Sequence, residues 1–177
     1  MPTNTNPPPF QLETERLTLR ELTPNDAAFM LALLNDADFI RHIADRGVRT
    51  LEQARQYIVD GAMASYREHG FGLWGVVPDG MEDCVGICGL IRRASLDDVD
   101  IGYGFLPEAR GKGYALEASR ACMDFGRGRL GLRRIIAITS QDNLPSARLL
   151  EKIGLRFERL IRLADDAEEL RLYAWVA

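Results

Sequence analysis

Cysteine, histidine and tryptophan are scarce in this 177-residue sequence, with three, two and two residues of each. Cys84, Cys88 and Cys122 stand in apolar surroundings, no second C-x-x-C occurs, and only His42 and His69 are available as imidazole ligands. That pattern argues against a disulfide framework or a zinc site, and no metal is expected. Long apolar runs are missing as well, so no stretch approaches the roughly 20 residues of a membrane-spanning helix. The opening MPTNTNPPPF has neither the charged nor the apolar region of a signal peptide. A cytoplasmic protein with reduced thiols and no membrane partner is the expectation. Excess positive charge is also lacking: the formal net charge is −4 and the pI about 5.3, against a general nucleic-acid binder.

What is present is an ordinary globular composition, 46% hydrophobic and 27% charged. The length suits one domain, placed at residues 10–177 behind a flexible tail at 1–9 rich in Asn, Thr and Pro. Charge is unevenly spread. Residues 110–156 hold ten Lys/Arg against four acids, a local +6 on a chain that is −10 elsewhere. Such a segment suits a small polyanionic ligand, and equally the solvated faces of helices.

Alternating apolar residues in LETERLTLREL (12–22) predict a strand. Thr23-Pro24 starts a helix carried to about Asn35, and the capping box at Thr50–Gln53 opens a second that Gly70 closes. Strands are expected at 72–77, 84–93 and 98–106 as an antiparallel meander, with Gly102 and Gly104 inside the third marking a bulge or a close backbone approach. Ala115, Ala118, Ala121, Cys122 and Phe125 recur at helical spacing. A strand at 132–140, a helix at 143–153 and strands at 155–163 and 169–177, joined at Asp165-Asp166, complete the order βααβββαβαββ. The predicted class is α/β: a mixed, mostly antiparallel sheet with one right-handed parallel β-α-β unit over 98–140, flanked by helices.

PEARGKGYALEA (107–118) places two glycines and two cations at the entrance of a helix. Lys112 is followed by Gly113, where a Walker A loop needs Ser or Thr. Gly126-Arg127-Gly128-Arg129-Leu130-Gly131 fits G-x-G-x-x-G in letters, but follows a helix and precedes a strand, the reverse of a dinucleotide site. The 107–118 segment has the order strand, glycine loop, helix. Helix N-terminal N–H groups attract anions, Gly111 and Gly113 allow close approach, and Arg110 and Lys112 add charge.

Arg110-Gly111-Lys112-Gly113-Tyr114-Ala115 fits R/Q-x-x-G-x-G/A, and with ETERLTLREL, DIGYGFLPEARGKGYALEA and NLPSARLLEKIGL the chain from Phe10 onward resembles the GNAT superfamily of N-acyltransferases, in its RimJ/RimL-like branch. The resemblance implies a GNAT fold and transfer of an acetyl group from acetyl-CoA to a primary amine by direct attack. The acceptor is a protein N-terminus or a small-molecule amine. A longer acyl donor and a CoA-binding sensor without turnover remain alternatives, and relatives are often homodimers.

The same resemblance implies that the 110–115 loop cradles the CoA pyrophosphate and that backbone groups of Phe105 and Leu106 pair with the pantetheine arm. Gly102 and Gly104 would then form a bulge that splays their strand from IIAIT. Asn143 matches a pantetheine-contacting Asn, or is a helix N-cap. Asp100 is the candidate base, directly or through water, against a solvent-facing strand residue. Many relatives carry a thiolate-protonating Tyr seven residues after the Asn, where this chain has Leu150. Ser146 is the hydroxyl this branch offers instead, against a first-turn helix serine. His42, Tyr103 and Trp74 read as packing residues.

Overall fold

The computed structural model describes residues 9–165 and 167–177. The expected tail therefore lies, but for Pro9, outside the described residues, as does Asp166 of the expected last turn. The first predicted strand is two: β1 (Gln11–Glu13) and β2 (Leu17–Arg20) pair antiparallel around a turn at Thr14. Thr23 caps a 3-10 turn that leads into α1 (Ala27–Leu34). A short helix that periodicity did not show, α2 (Ala37–His42), follows with Asp36 as its cap. The helix from Thr50 is interrupted: α3 (Leu51–Ile58) passes through a π turn at Val59–Met63 into α4 (Ala64–His69), which ends at left-handed Gly70.

The remaining elements are β3 (Leu73–Pro78), β4 (Gly86–Ile91), β5 (Asp100–Phe105), α5 (Tyr114–Gly128), β6 (Arg134–Ser140), α6 (Leu144–Lys152), β7 (Arg156–Ile161) and β8 (Leu170–Val176). They form one sheet in the order β1-β2-β3-β4-β5-β6-β8-β7, antiparallel except for β5 against β6. One core holds Trp74, Leu90 and Ile101 against Ala118 and Cys122 of α5 and Leu150 of α6. A second holds Val77 and Ile87 against Leu33 of α1, Phe39 of α2 and Ala54 of α3. Gly126 lets α5 approach the sheet, since a Cβ there would meet Ile135 Cδ1 at 2.8 Å and Leu90 Cδ1 at 3.1 Å. The literal G-x-G-x-x-G is thus a packing and turn feature.

Asp26 anchors the entrance to α1. Its carboxylate accepts from the Thr23 N–H at 2.9 Å and takes Arg20 Nη1 and Nη2 at 2.9 and 2.8 Å. Burial pushes the carboxyl up, but the Arg20 guanidinium and the Thr23 amide outweigh it and hold it below its ordinary range. Its stabilising contribution is therefore present at neutral pH and is lost as pH falls through the acid range. Replacement by Ala removes both cap and ion pair and should cost about 3 kcal/mol, read from the urea midpoint at pH 7, with a smaller difference at pH 3.

Candidate active site

β5 and β6 share a single bridging pair, Asp100 opposite Ile136, with the Ile136 N–H donating to the Val99 carbonyl at 3.0 Å. Beyond it the strands part. On its other edge β5 stays paired with β4 without a register shift from Asp100 to Phe105. The expected bulge is therefore absent, and the splay arises on the β6 side alone. Gly102 and Gly104 have a different reason: a Cβ on Gly104 would meet the Phe39 ring at 3.3 Å, and one on Gly102 would meet Ile91 Cδ1 at 2.9 Å.

The ladder also decides which backbone groups face the opening. The Leu106 N–H donates to the Val85 carbonyl at 2.9 Å, and alternation along an antiparallel pair then points Leu106, Gly104 and Gly102 toward β4. The Leu106 carbonyl accepts from the Ala109 N–H at 3.0 Å, and that of Phe105 from Arg110 Nε and Nη2 at 3.1 and 2.9 Å. Leu106 is thus spent on the fold, contrary to expectation. Phe105 offers only its N–H, while Tyr103, whose backbone shares that orientation, offers both groups.

At the end of β5 the loop folds as a cradle. Gly111 and Gly113 have φ of +73° and +80°, and Gly113 is the N-cap of the 15-residue α5. Side chains rarely adopt that conformation, so glycine is required to turn these N–H groups outward. Tyr114 and Ala115 form the first turn, and the Lys112 side chain is exposed with no ion pair among the described residues. Arg16, in the turn before β2, reinforces the loop: Nη1 donates to the Lys112 carbonyl at 2.8 Å, Nε to Glu117 at 2.7 Å, and the guanidinium lies 5.0 Å from the Tyr114 ring centre. Sequence reasoning missed Arg16 and Glu117, because their partners lie about a hundred residues away.

Arg110 does not stand free to meet a phosphate. Its Nη2 lies 2.5 Å from Asp36 and its Nη1 2.8 Å from Asp38, besides the Phe105 carbonyl. It fastens the start of α2 to the loop. The far end of α2 is tied to the other arm of the opening, with His42 Nδ1 3.3 Å from Ser140 Oγ and Arg41 3.2 Å from Asp142. α2 therefore crosses the cleft from β5 to β6. Ser140, His42 and Asp142 are not a nucleophilic triad, because serine and carboxylate (3.7 Å) approach the same ring nitrogen, whereas a relay needs one on each.

Asp100 sits where the strands part, 1% exposed, with both oxygens 3.1 Å from Arg93 Nε. It is not a solvent-facing residue. Burial raises its carboxyl above the ordinary value, and Arg93 offsets part of that. Across the opening, the Tyr103 hydroxyl donates to Ser146 Oγ at 2.9 Å. Asn143 caps α6, its Oδ1 accepting from the Ser146 N–H at 3.2 Å, so its amide N–H groups face elsewhere. Leu150 is buried in the core. The three cysteines are buried, and burial pushes the Cys84 thiol up to about 12, so it holds no thiolate nucleophile at neutral pH. Among the described residues no group of His, Cys, Asp and Glu is placed to hold a metal ion.

The arrangement can receive a diphosphate at the glycine loop and a thin chain against the open edge of β5. Residues 16–156 match the model of the acetyltransferase (GNAT) domain. The chain is 33% identical over 152 residues to the uncharacterized N-acetyltransferase YoaA of Bacillus subtilis, covering 85% of each. Among solved structures it resembles an acetyltransferase of the GNAT family from Bacillus anthracis, with 28% identity, TM-score 0.78 and coverage of 94% and 98%. It also shares its fold with RimL, a ribosomal L7/L12 α-N-protein acetyltransferase solved with coenzyme A, at 17% identity, TM-score 0.81 and coverage of 94% and 98%.

Proposed function

The chain belongs to the GNAT acetyltransferase family, and from that premise we propose that it moves an acetyl group from acetyl-CoA to a primary amine by direct attack. The observation that carries this reading is the parting of β5 from β6 beside two left-handed glycines at the start of α5. Coenzyme A in the RimL structure supports it. Bound acetyl-CoA supplies the thioester, whose C–S bond breaks as the N–C bond to the amine forms, the nitrogen losing a proton and the sulfur gaining one.

N–H groups of Gly113, Tyr114 and Ala115 hold the pyrophosphate at the positive end of the helix, with Lys112 as the free cation. Arg110 acts through α2 and the loop. The Tyr103 and Phe105 N–H groups and the Tyr103 carbonyl align the pantetheine arm, and Asn143 donates to it from its amide. Asp100, enclosed and held by Arg93, receives the ammonium proton through a water, its raised pKa suiting a base. Ser146 returns a proton to the departing sulfur, replenished by the Tyr103 hydroxyl.

Thiol release from acetyl-CoA over a panel of amines tests the reading, and tight CoA binding without turnover on any amine would replace it with a sensor. Ser146→Ala should lower kcat about tenfold, and Tyr103→Phe somewhat less. The double variant should lose no more than Ser146→Ala alone, since the two hydroxyls form one path. Separate, multiplying losses would refute the relay.

A further inference from the structure

Beneath the helix pair α3–α4, on the face of the sheet that carries α1, lies a cavity of about 310 Å³ that nothing above uses. Its roof is the π turn, through Asp60, Gly61 and Ala62, and its floor includes Leu73, Ile87 and Ile91. π turns are rare and concentrate at functional sites. Here the turn brings small residues over the sheet. The floor leads to the cleft: Ile91 is the cross-strand partner of Asp100, and Ile91 Cδ1 and Leu73 Cδ2 lie 2.9 and 3.8 Å from where a Cβ on Gly102 would stand. The cavity thus ends at Ile91 and Leu73, whose side chains cover Gly102, next to the position where β5 leaves β6.

We infer that this cavity takes the acceptor, a primary amine on a small apolar body, and that the amine reaches the cleft past Ile91, the cross-strand neighbour of Asp100; the inference rests on the acetyltransferase reading above. The lining is mainly aliphatic with the Tyr57 ring, and the volume lies at the lower end of small-ligand sites. A protein N-terminus would bring peptide N–H and C=O groups into this space without partners, a cost that rises with each one. Among the lining residues the carboxylates of Asp60 and Glu68 outnumber the Arg92 guanidinium, with His69 beside them, a balance that favours an ammonium ion.

The test uses the full chain with 2-phenylethylamine, isopentylamine, ethanolamine and an alanine-initiated peptide. Thiol release is measured with acetyl-CoA, and amine binding by calorimetry with CoA present. The two apolar amines should exceed ethanolamine and the peptide at least tenfold in kcat/KM. Ala62→Leu, filling the cavity from its roof, and Gly102→Ala, pushing Ile91 into its inner end, should each raise the KM of the apolar amines at least tenfold while leaving acetyl-CoA affinity unchanged, with Tm unchanged in Ala62→Leu. A preference for the peptide, or unchanged KM in both variants, overturns the assignment and leaves the transferase reading intact. Apolar amines that bind, lose affinity in Ala62→Leu and are never acetylated uphold the cavity and overturn the transferase reading.

Discussion

Gly113→Val should raise the KM for acetyl-CoA about a hundredfold while the protein still folds. At φ +80° any L side chain is strained by about 1–2 kcal/mol, and a β-branched one by more. The new Cβ would also stand 3.2 Å from Arg16 Nη2, whose guanidinium is held by Glu117 and cannot swing away freely. The backbone escapes by rotating, and the first N–H groups of α5 then no longer converge. Loss of one good anion site at about 3 kcal/mol corresponds to the hundredfold change. Gly111→Ala offers the graded control: its φ is +73° but no atom lies within 4 Å of the added Cβ, so strain of about 1 kcal/mol and a several-fold effect are expected. Titration calorimetry with acetyl-CoA reads both. Unchanged affinity in Gly113→Val would show that the loop does not hold the cofactor.

Asp100→Asn should lower kcat about a hundredfold at pH 7 and remove the acidic limb of the rate profile. Burial outweighs Arg93 and raises the carboxyl above its ordinary value, so in the unmodified protein kcat should fall as pH drops toward that raised value. Arg93→Gln supplies the sign test. Removing the cation that offsets burial should move the limb to higher pH, with kcat at pH 9 little changed. A merely structural Asp100 would leave the limb where it is in both variants. Circular dichroism and Tm establish that each variant is folded.

Both predictions concern features that the sequence displayed to different degrees. The glycine loop was legible because it is local: two glycines, two cations and a following helical run lie within a dozen residues. The parallel pair and the closing strands were legible from periodicity and turn residues. What was hidden depends on distant partners. The fates of Arg110 and Arg16 hang on Asp36, Asp38 and Glu117, some 70 to 100 positions away, and no local pattern announces such pairs. α2 has six residues, too few for apolar periodicity to separate helix from loop. The π turn hides within a continuous helical pattern, since one wide turn does not interrupt the run from Thr50 to Gly70. The orientation of Leu106 toward β4 is hidden too, because strand pattern alone does not say which neighbour each backbone N–H faces; the ladder with β4 does.

The double fastening of α2 has a mechanical side. One end hangs on Arg110, a member of the glycine loop, and the other on Ser140 and Asp142 at the tip of β6, while its middle rests on Gly104 through Phe39. A rod held at both banks of a channel moves when either bank moves. A variant that frees Arg110 from Asp36 and Asp38 should therefore be felt at Ser140 and Asp142 as well. Two strands that share a single bridging pair are thus braced by one six-residue helix.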